Sequence, residues 1–450
     1  MIDNISIGIR NVIIYSIAFC IFIQSIILLR YKFKYVFWGR IPAYHTYQWW
    51  YRFMDEQLIN KKKWVGMSKD SRYYIHPTPI HSKQNLTLTT LKLEDDTIKD
   101  IVNYINIHFM NYSDARFNID YPQLSQLISP YSKLSALKDN NTMRGCIISI
   151  PFTLWLACYK KHQWSHSIES QTTKYKNPDT IQCHYVDYLC VDKKHRKQNY
   201  ASNLIYSHCL NTISNNEVIV NDLQPCFIFK NEGFKTNALK PFVEYKSHVI
   251  ELTSLTMNDC IENIQVVSEQ GMNCLVINEN KDQNYLSDCI TKLYNLNKTN
   301  IFMCIGLISK EQFIMMVKNN DLVVVCLLEH HEPRGYYFFK NIHSLIESKT
   351  NEFECLASVD LSYTTNNQCS KAFIYGFKIA CIQSRDFLSS VTTGISSFNL
   401  CCIESISHNY FILRETNLIR KVIHTIIPMA YYSFNGLIHQ KESHQLMMIS

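Results

Sequence analysis

The sequence predicts an α/β fold of the mixed α+β kind, built in two halves, with an apolar helix in front. Three observations carry this reading. Residues 11–29 form a run of 19 residues without a charge. Strand-like and helix-like stretches alternate through most of the remaining chain. The alternation occurs twice, on either side of a polar, Asn-rich stretch at 282–300.

The leading run, "NVIIYSIAFCIFIQSIILL", lies between Arg10 and Arg30. As a helix it is roughly 28 Å long, against about 30 Å for the hydrocarbon core of a bilayer. Gln24 is its only large polar side chain beyond Asn11 at the edge. The sequence after it, Arg30-Tyr31-Lys32, has no small residues suited to signal cleavage. Arg30, Lys32, Lys34 and Arg40 follow the run and only Arg10 precedes it, so the positive-inside rule places the bulk of the chain in the cytosol. The expectation is a single-pass membrane protein with residues 1–36 as anchor and basic flank.

Residues 44–67 are aromatic and basic, and suit a membrane surface or an insertion. Ile98, Ile101, Ile105 and Phe109 recur at helical spacing, so 94–110 reads as a helix with Glu94, Asp95 and Asp96 in its first turn. "RGCIISIP" at 144–151 reads as a strand, 162–181 as a polar loop, 185–191 and 217–220 as strands, and 242–252 as a returning strand. In the second half, 310–318 reads as a helix. Residues 322–328 and 336–340 form a hairpin around "EHHEPRG". Residues 372–381 read as a strand, 387–392 as a helix start, and 399–404 and 431–434 as strands. The division expected is 37–280 and 281–450.

Composition narrows the classes of function. With 46% hydrophobic and 18% charged residues among 450, the chain folds and is long enough for more than one domain. Eleven glycines argue against a phosphate site built from repeated glycine. A net charge of +7 is too modest to point to nucleic acid. The 17 cysteines show no C-x-x-C spacing and fit reduced thiols in the cytosol. "EHHEP" has metal-ligand residue types, but at a hairpin His330 and His331 face opposite ways, and no metal site is expected.

The most informative stretch is "YVDYLCVDKKHRKQNYASNLIY" at 185–206. A strand runs into a basic turn and then a helix start. Such a turn presents unpaired backbone N–H groups, a helix dipole and cations at one point, which suits pyrophosphate. Arg196, Lys197, Gln198, Asn199, Tyr200 and Ala201 form it. Asn199 tolerates left-handed backbone geometry. Read from these residues alone, a solvated basic loop is an equally open alternative.

Here the chain resembles the N-myristoyltransferase family, relatives of the acetyltransferase (GNAT-type) fold that bind acyl-CoA at this turn. The Leu-Cys-Val-x-Lys-Lys-x-Arg core matches at 189–196 without a gap. In family order, "FWGRIP" at 37–42 resembles Phe-Trp-x-Thr-Gln-Pro and "FNIDYP" at 117–122 resembles Phe-Arg-Phe-Asp-Tyr-Ser. "RGCIISIP" resembles Val-Gly-Phe-Ile-Ser-Ala-Ile-Pro, and "YYSFN" at 431–435 resembles Tyr-Tyr-Leu-Tyr-Asn. The resemblance covers nearly everything after the anchor.

The resemblance implies two GNAT-type halves and transfer of a myristoyl group from myristoyl-CoA to the N-terminal glycine amine of proteins. It implies no tightly bound cofactor. Backbone amides at Tyr188 and Leu189 match the family's oxyanion hole, and the carboxylate of Ser450 matches its base. Phe37, Trp38, Cys190, Val191 and 196–201 match the coenzyme-binding positions, and Asp114, Phe117, Tyr121 and Tyr375 the peptide-binding ones. Read from the sequence alone, Cys190 sits mid-strand and packs rather than reacts. The departures are specific. Asn111-Tyr112-Ser113-Asp114 replaces a longer acidic segment, and Lys230 stands where the family has histidine. A Gly-Asp-Gly before the last strand has no counterpart, and Asn199 replaces an arginine. A non-catalytic relative and another GNAT-type N-acyltransferase therefore stay open.

Overall fold

The structure is a computed structural model. It describes residues 2–53, 57–58, 71–75, 86–91, 95–109, 115–128, 131–157, 179–214, 225–233, 236–252, 256–299, 301–346, 350–363, 368–392, 398–415 and 423–450. The expected strand at 217–220, most of the polar loop at 162–181 and Asp114 lie outside them.

Helix α1 (Ile2–Lys34) carries the apolar run. From Arg10 to Lys34 it is long and apolar enough to cross a membrane, and its most apolar stretch buries no residue against the protein. Strands β1 (Gln57–Leu58) and β2 (Leu86–Leu91), helix α2 (Asp95–His108), strand β3 (Ala115–Phe117) and helix α3 (Tyr121–Leu127) follow. Ile98, Ile101 and Ile105 of α2 are buried, as their spacing requires. Strands β4 (Lys133–Asp139), β5 (Thr142–Leu156), β6 (Asp179–Val186) and β7 (Cys190–Val191) then lead through helix α4 (Tyr200–Ser214) to β8 (Cys226–Glu232) and β9 (Val243–Glu251).

The second half runs through α5 (Ile261–Glu269), β10 (Met272–Val276), α6 (Gln283–Tyr294), β11 (Cys304–Leu307) and α7 (Lys310–Lys318). It continues as the meander β12 (Leu322–Glu329), β13 (Glu332–Ile346) and β14 (Thr350–Asp360). Helix α8 (Lys371–Val391) leads to β15 (Phe398–Glu404), followed by α9 (Asn409–Glu415), β16 (Ile423–Phe434), β17 (Gly436–Leu437) and β18 (Leu446–Ile449).

The halves repeat one plan. In each, an antiparallel meander ends in a strand that pairs in parallel with the strand after a crossover helix. These pairs are β6 with β8 across α4, and β14 with β15 across α8. The closing strands β9 and β16 pair with each other between the halves, in the order β14-β15-β9-β16-β8-β6-β5-β11-β18. One 16-stranded sheet results.

One expected element is corrected. Residues 372–381 form a helix, and 387–392 ends that helix rather than starting one. The aromatic and β-branched run "AFIYGF" invites a strand reading. However, buried Phe373, Phe377, Ala380, Ser384 and Leu388 recur three and four apart, and Ser370 caps the first turn by accepting from the Phe373 N–H.

Candidate functional site

The basic turn is built around Asp192. Its carboxylate accepts from the Lys194 N–H at 3.0 Å, and the His195 ring lies at 3.1 Å and the Arg144 guanidinium at 3.5 Å. Burial works against this charge, but the Lys194 N–H and the His195 and His108 rings outweigh it and hold the carboxyl below its usual range. Arg196 then turns inward. Its Nε donates to Val191 O at 3.3 Å and its Nη2 to His108 O at 3.0 Å, joining the turn to β7 and to the end of α2.

Lys197 and Asn199 both have φ of 65°, in the left-handed region. Residues of alternating hand turn successive N–H groups toward one side and form a concavity for anions. Here a hollow of about 200 Å³ is lined by Val191, Arg196, Lys197 and residues 199–202, at the first turn of α4. Gln198 braces the turn by donating to Lys194 O at 3.3 Å. Buried Phe37 packs on Trp38 at 4.9 Å and on Tyr73 at 5.2 Å, in the apolar cluster that holds Leu204 and Ile205 of α4. The structure therefore brings the expected coenzyme residues 37–38, 190–191 and 196–201 to one region.

A second site opens at the other end of β7. Against β5, Val186 pairs with Ser149 and Cys190 with Cys146, so three residues bulge out opposite two. In this bulge the Asp187 N–H donates to Ile148 O and the Leu189 N–H to Asp187 O, each at 3.1 Å. The Tyr188 N–H has no acceptor among the described residues. A cleft of about 420 Å³ lies over the bulge. Phe109, Phe117 and Tyr188 form an aromatic wall, with ring centres 5.3–5.7 Å apart. Ser450, Lys340, Lys230, Glu352 and Glu354 face them across the cleft. Lys340 donates to a main-chain oxygen of buried Ser450 at 2.9 Å.

Below them Lys230 Nζ sits 2.9 Å from Glu354 and 2.7 Å from Glu404. Burial pulls the ammonium down, but the two carboxylates outweigh it and hold it well above its usual range. For Glu404, burial and the neighbouring Glu354 overcome Lys230 and push the carboxyl up to about 8. Glu354 is also opposed by burial, yet Lys230 holds it down. The two carboxylates thus compete for one ammonium, and Tyr245 donates to Glu404 at 2.8 Å. Burial also raises Glu352, which accepts from Ser344 at 2.9 Å and from Cys402 at 2.6 Å.

The sequence matches no protein-family model, and no curated protein is similar to it. Solved structures are similar in three dimensions. A Saccharomyces cerevisiae N-myristoyltransferase with bound myristoyl-CoA superposes with a TM-score of 0.61 at 12% identity, over 91% of this chain and 89% of the other. A second structure of that yeast enzyme with myristoyl-CoA gives 0.59 at 12% identity, over 90% and 94%. A third, with inhibitors also bound, gives 0.59 at 13%, over 90% and 91%.

The fold is that of N-myristoyltransferase.

Within this N-myristoyltransferase fold the expected peptide-side residues separate. Phe117 lines the cleft. Tyr121 does not; it opens α3, where Lys99 lies over its ring at 5.6 Å. Tyr375 lies on α8, and its backbone oxygen accepts from Asn263 at 3.1 Å. Alternation along β14 separates Tyr375 from the cleft, because Glu352 and Glu354 face the cleft while Phe353 and Cys355 face the layer that contains α8. Cys190 is buried opposite Cys146 in the strand ladder, a packing position. His330 and His331 both adopt positive φ in the β12–β13 turn.

Sequence reasoning missed Lys340, Glu352, Glu354 and Glu404, and met Lys230 only as a departure. A signal existed for Glu352 and Glu354. In "NEFECL" at 351–356, charged residues alternate with apolar ones in a strand.

Proposed function

We propose that the protein transfers a fatty acyl group, myristoyl in the first instance, from acyl-CoA to the N-terminal glycine amine of a protein. The observation that carries this reading is the placement of two features at the two ends of β7. One is the anion hollow at 196–201, and the other is the bulge with its unspent Tyr188 N–H. A thioester lying along β7 has its phosphates at the first and its carbonyl at the second.

In the step itself the glycine nitrogen attacks the thioester carbon, the C–S bond breaks, and the second proton shed by that nitrogen passes to the departing sulfur, so that coenzyme A leaves as the thiol. The Tyr188 N–H stabilises the oxyanion, an interaction worth about 3–4 kcal/mol in acyl transfer. The Leu189 N–H joins it if its bond to Asp187 O opens. The terminal carboxylate of Ser450, held by Lys340, takes the proton that the glycine ammonium must lose before attack. Phe117 and the aromatic wall receive the acceptor peptide. Residues 37–280 hold acyl-CoA, and 281–450 complete the acceptor side. Residues 11–29 span a membrane, with the chain that follows them in the cytosol.

A second reading is a non-catalytic acyl-CoA-binding relative. It is favoured by the Lys230 trio, which places an ammonium paired with two carboxylates against the cleft. Mass spectrometry decides between them. Purified protein incubated with myristoyl-CoA and a glycine-starting peptide should give the acylated peptide. Tight acyl-CoA binding without product establishes the second reading.

A further inference from the structure

Helix α1 is not a flexible leash. It runs unbroken from Ile2 to Lys34, and its last turns are fastened to the folded body. Tyr31 is buried. Its hydroxyl donates to Ala238 O and lies 3.1 Å from His45 Nδ1. The Tyr31 ring packs on Tyr47 at 4.6 Å, and Tyr47 stacks on His45 at 5.4 Å. Gln24, the one large polar side chain within the apolar run, donates to Tyr47 O at 3.5 Å. The chain around Tyr47 therefore climbs alongside α1 to the level of Gln24.

From Tyr47 the ring contacts continue outward to Trp50 at 6.3 Å, from Trp50 to Trp49 at 6.2 Å, and from Trp49 to Phe53 at 6.1 Å. This ladder reaches the surface, where Trp49 is 54% exposed and Phe53 73%. Water is a poor environment for such a shelf. Its height on α1 explains it. Gln24 lies five residues before the end of the uncharged run at Leu29, so the Tyr47 backbone, from which the shelf extends, is roughly 7 Å inside that end at the helical rise. Aromatic side chains concentrate at the membrane interface, and interfacial segments bury their apolar face about 5–10 Å deep.

We propose that Trp49 and Phe53 form a bilayer-contact shelf which, with the clamped end of α1, holds the acyl-CoA-binding half at one fixed orientation to the membrane. The proposal rests on α1 spanning the bilayer. The partner is the lipid interface itself, and Lys32 and Lys34 at the end of α1 add attraction for anionic headgroups. The apolar cluster that grips Tyr31 also holds Phe37 and the buried face of α4. The coenzyme hollow is thus built onto the clamp and lies close to the membrane surface.

The test uses the full chain reconstituted in phosphatidylcholine–phosphatidylglycerol vesicles carrying a nitroxide lipid, labelled either near the headgroup or near the chain end. Tryptophan fluorescence should be quenched by the shallow nitroxide about twofold more than by the deep one, as for an interfacial aromatic. Trp49→Leu should remove the quenched component, and Phe53→Trp should enlarge it. Carbonate extraction of the same vesicles keeps the two claims separate. Protein that resists extraction but shows no quenching tied to Trp49 or to Phe53→Trp overturns the shelf and leaves the span intact. Protein released by carbonate overturns the span and the shelf with it.

Discussion

Lys340 lies between the two halves of the candidate site, 2.9 Å from a main-chain oxygen of Ser450 and 3.8 Å from the Asp187 carboxylate. One ammonium thus fixes the end of β18 against the bulge that presents the Tyr188 N–H. A charge-assisted hydrogen bond of this kind is worth about 1.5–3 kcal/mol. Lys340→Met should lower turnover by about 10–100-fold if that energy is expressed in the transition state. Acyl-CoA affinity, measured by calorimetry, should stay nearly unchanged. Deleting Ile449 and Ser450 should act in the same direction. Full turnover in either variant removes Ser450 from the mechanism.

The basic turn separates charge from bracing. Lys194, Arg196 and Lys197 are all exposed, but Arg196 is also committed to Val191 O and His108 O. Replacing both lysines by alanine should weaken coenzyme A binding at low salt and flatten its salt dependence, with no change in melting temperature. Arg196→Ala should weaken binding and also lower the melting temperature. If the double lysine variant binds with unchanged salt dependence, the hollow is not a phosphate site.

Lys230→Met leaves Glu354 and Glu404 facing each other without a cation. Breaking a buried pair from one side costs about 3–5 kcal/mol. The pH dependence tests the cause. Without the ammonium, both folded-state carboxyls titrate above their unfolded values, so the folded chain binds the extra protons and gains stability as pH falls. The deficit relative to the unaltered protein should therefore shrink between pH 8 and 5, as read from denaturant melts. A deficit that does not change with pH would mean lost packing instead.

A buried relay joins α4 to the strands beneath it. His208 bridges Ser135 and Ser149 at 2.9 Å each, and Ser149 lies 3.4 Å from His184. Burial pushes His208 down to about 3 and His184 down to about 4, from an ordinary 6.5. Both folded values are depressed, so the unfolded chain binds the protons first. Their contribution is complete above pH 6.5 and is lost as pH falls toward the folded values, by up to about 1.4 kcal/mol per unit for each ring. Urea melts should weaken between pH 7 and 5, less steeply than the histidines alone require, because the Glu404 carboxyl, pushed up to about 8, favours the folded chain as pH falls through the same range. His208→Gln should flatten that slope.

Much of this was legible in the sequence, for definite reasons. The basic turn is local: strand, turn and helix start lie within 185–206, and each leaves a compositional mark. The charge cluster is not local. Lys230, Glu354 and Glu404 come from three strands, β8, β14 and β15, and meet only because β9 and β16 bring the two halves into one sheet. Helix α8 was misread because its residues are buried on most sides, which hides the helical period behind a continuous apolar run. Tyr375 went astray for the same reason, since its face of the helix cannot be assigned until the helix is recognised.

The exchange of closing strands has a consequence for how the chain is made. β8 and β9 follow each other in sequence, yet β16 lies between them, paired with Phe227 through Phe434 on one side and with Val243 through Tyr431 on the other. A nascent first half leaving the ribosome thus carries β8 with one open edge and β9 with neither of its neighbours, β15 and β16, until nearly the whole second half has been synthesised. Exposed edges of this kind invite pairing with other chains, and the long sequence separation slows correct closure. Either half expressed alone should be poorly soluble, and the burden on chaperones falls in the interval before residue 434 emerges.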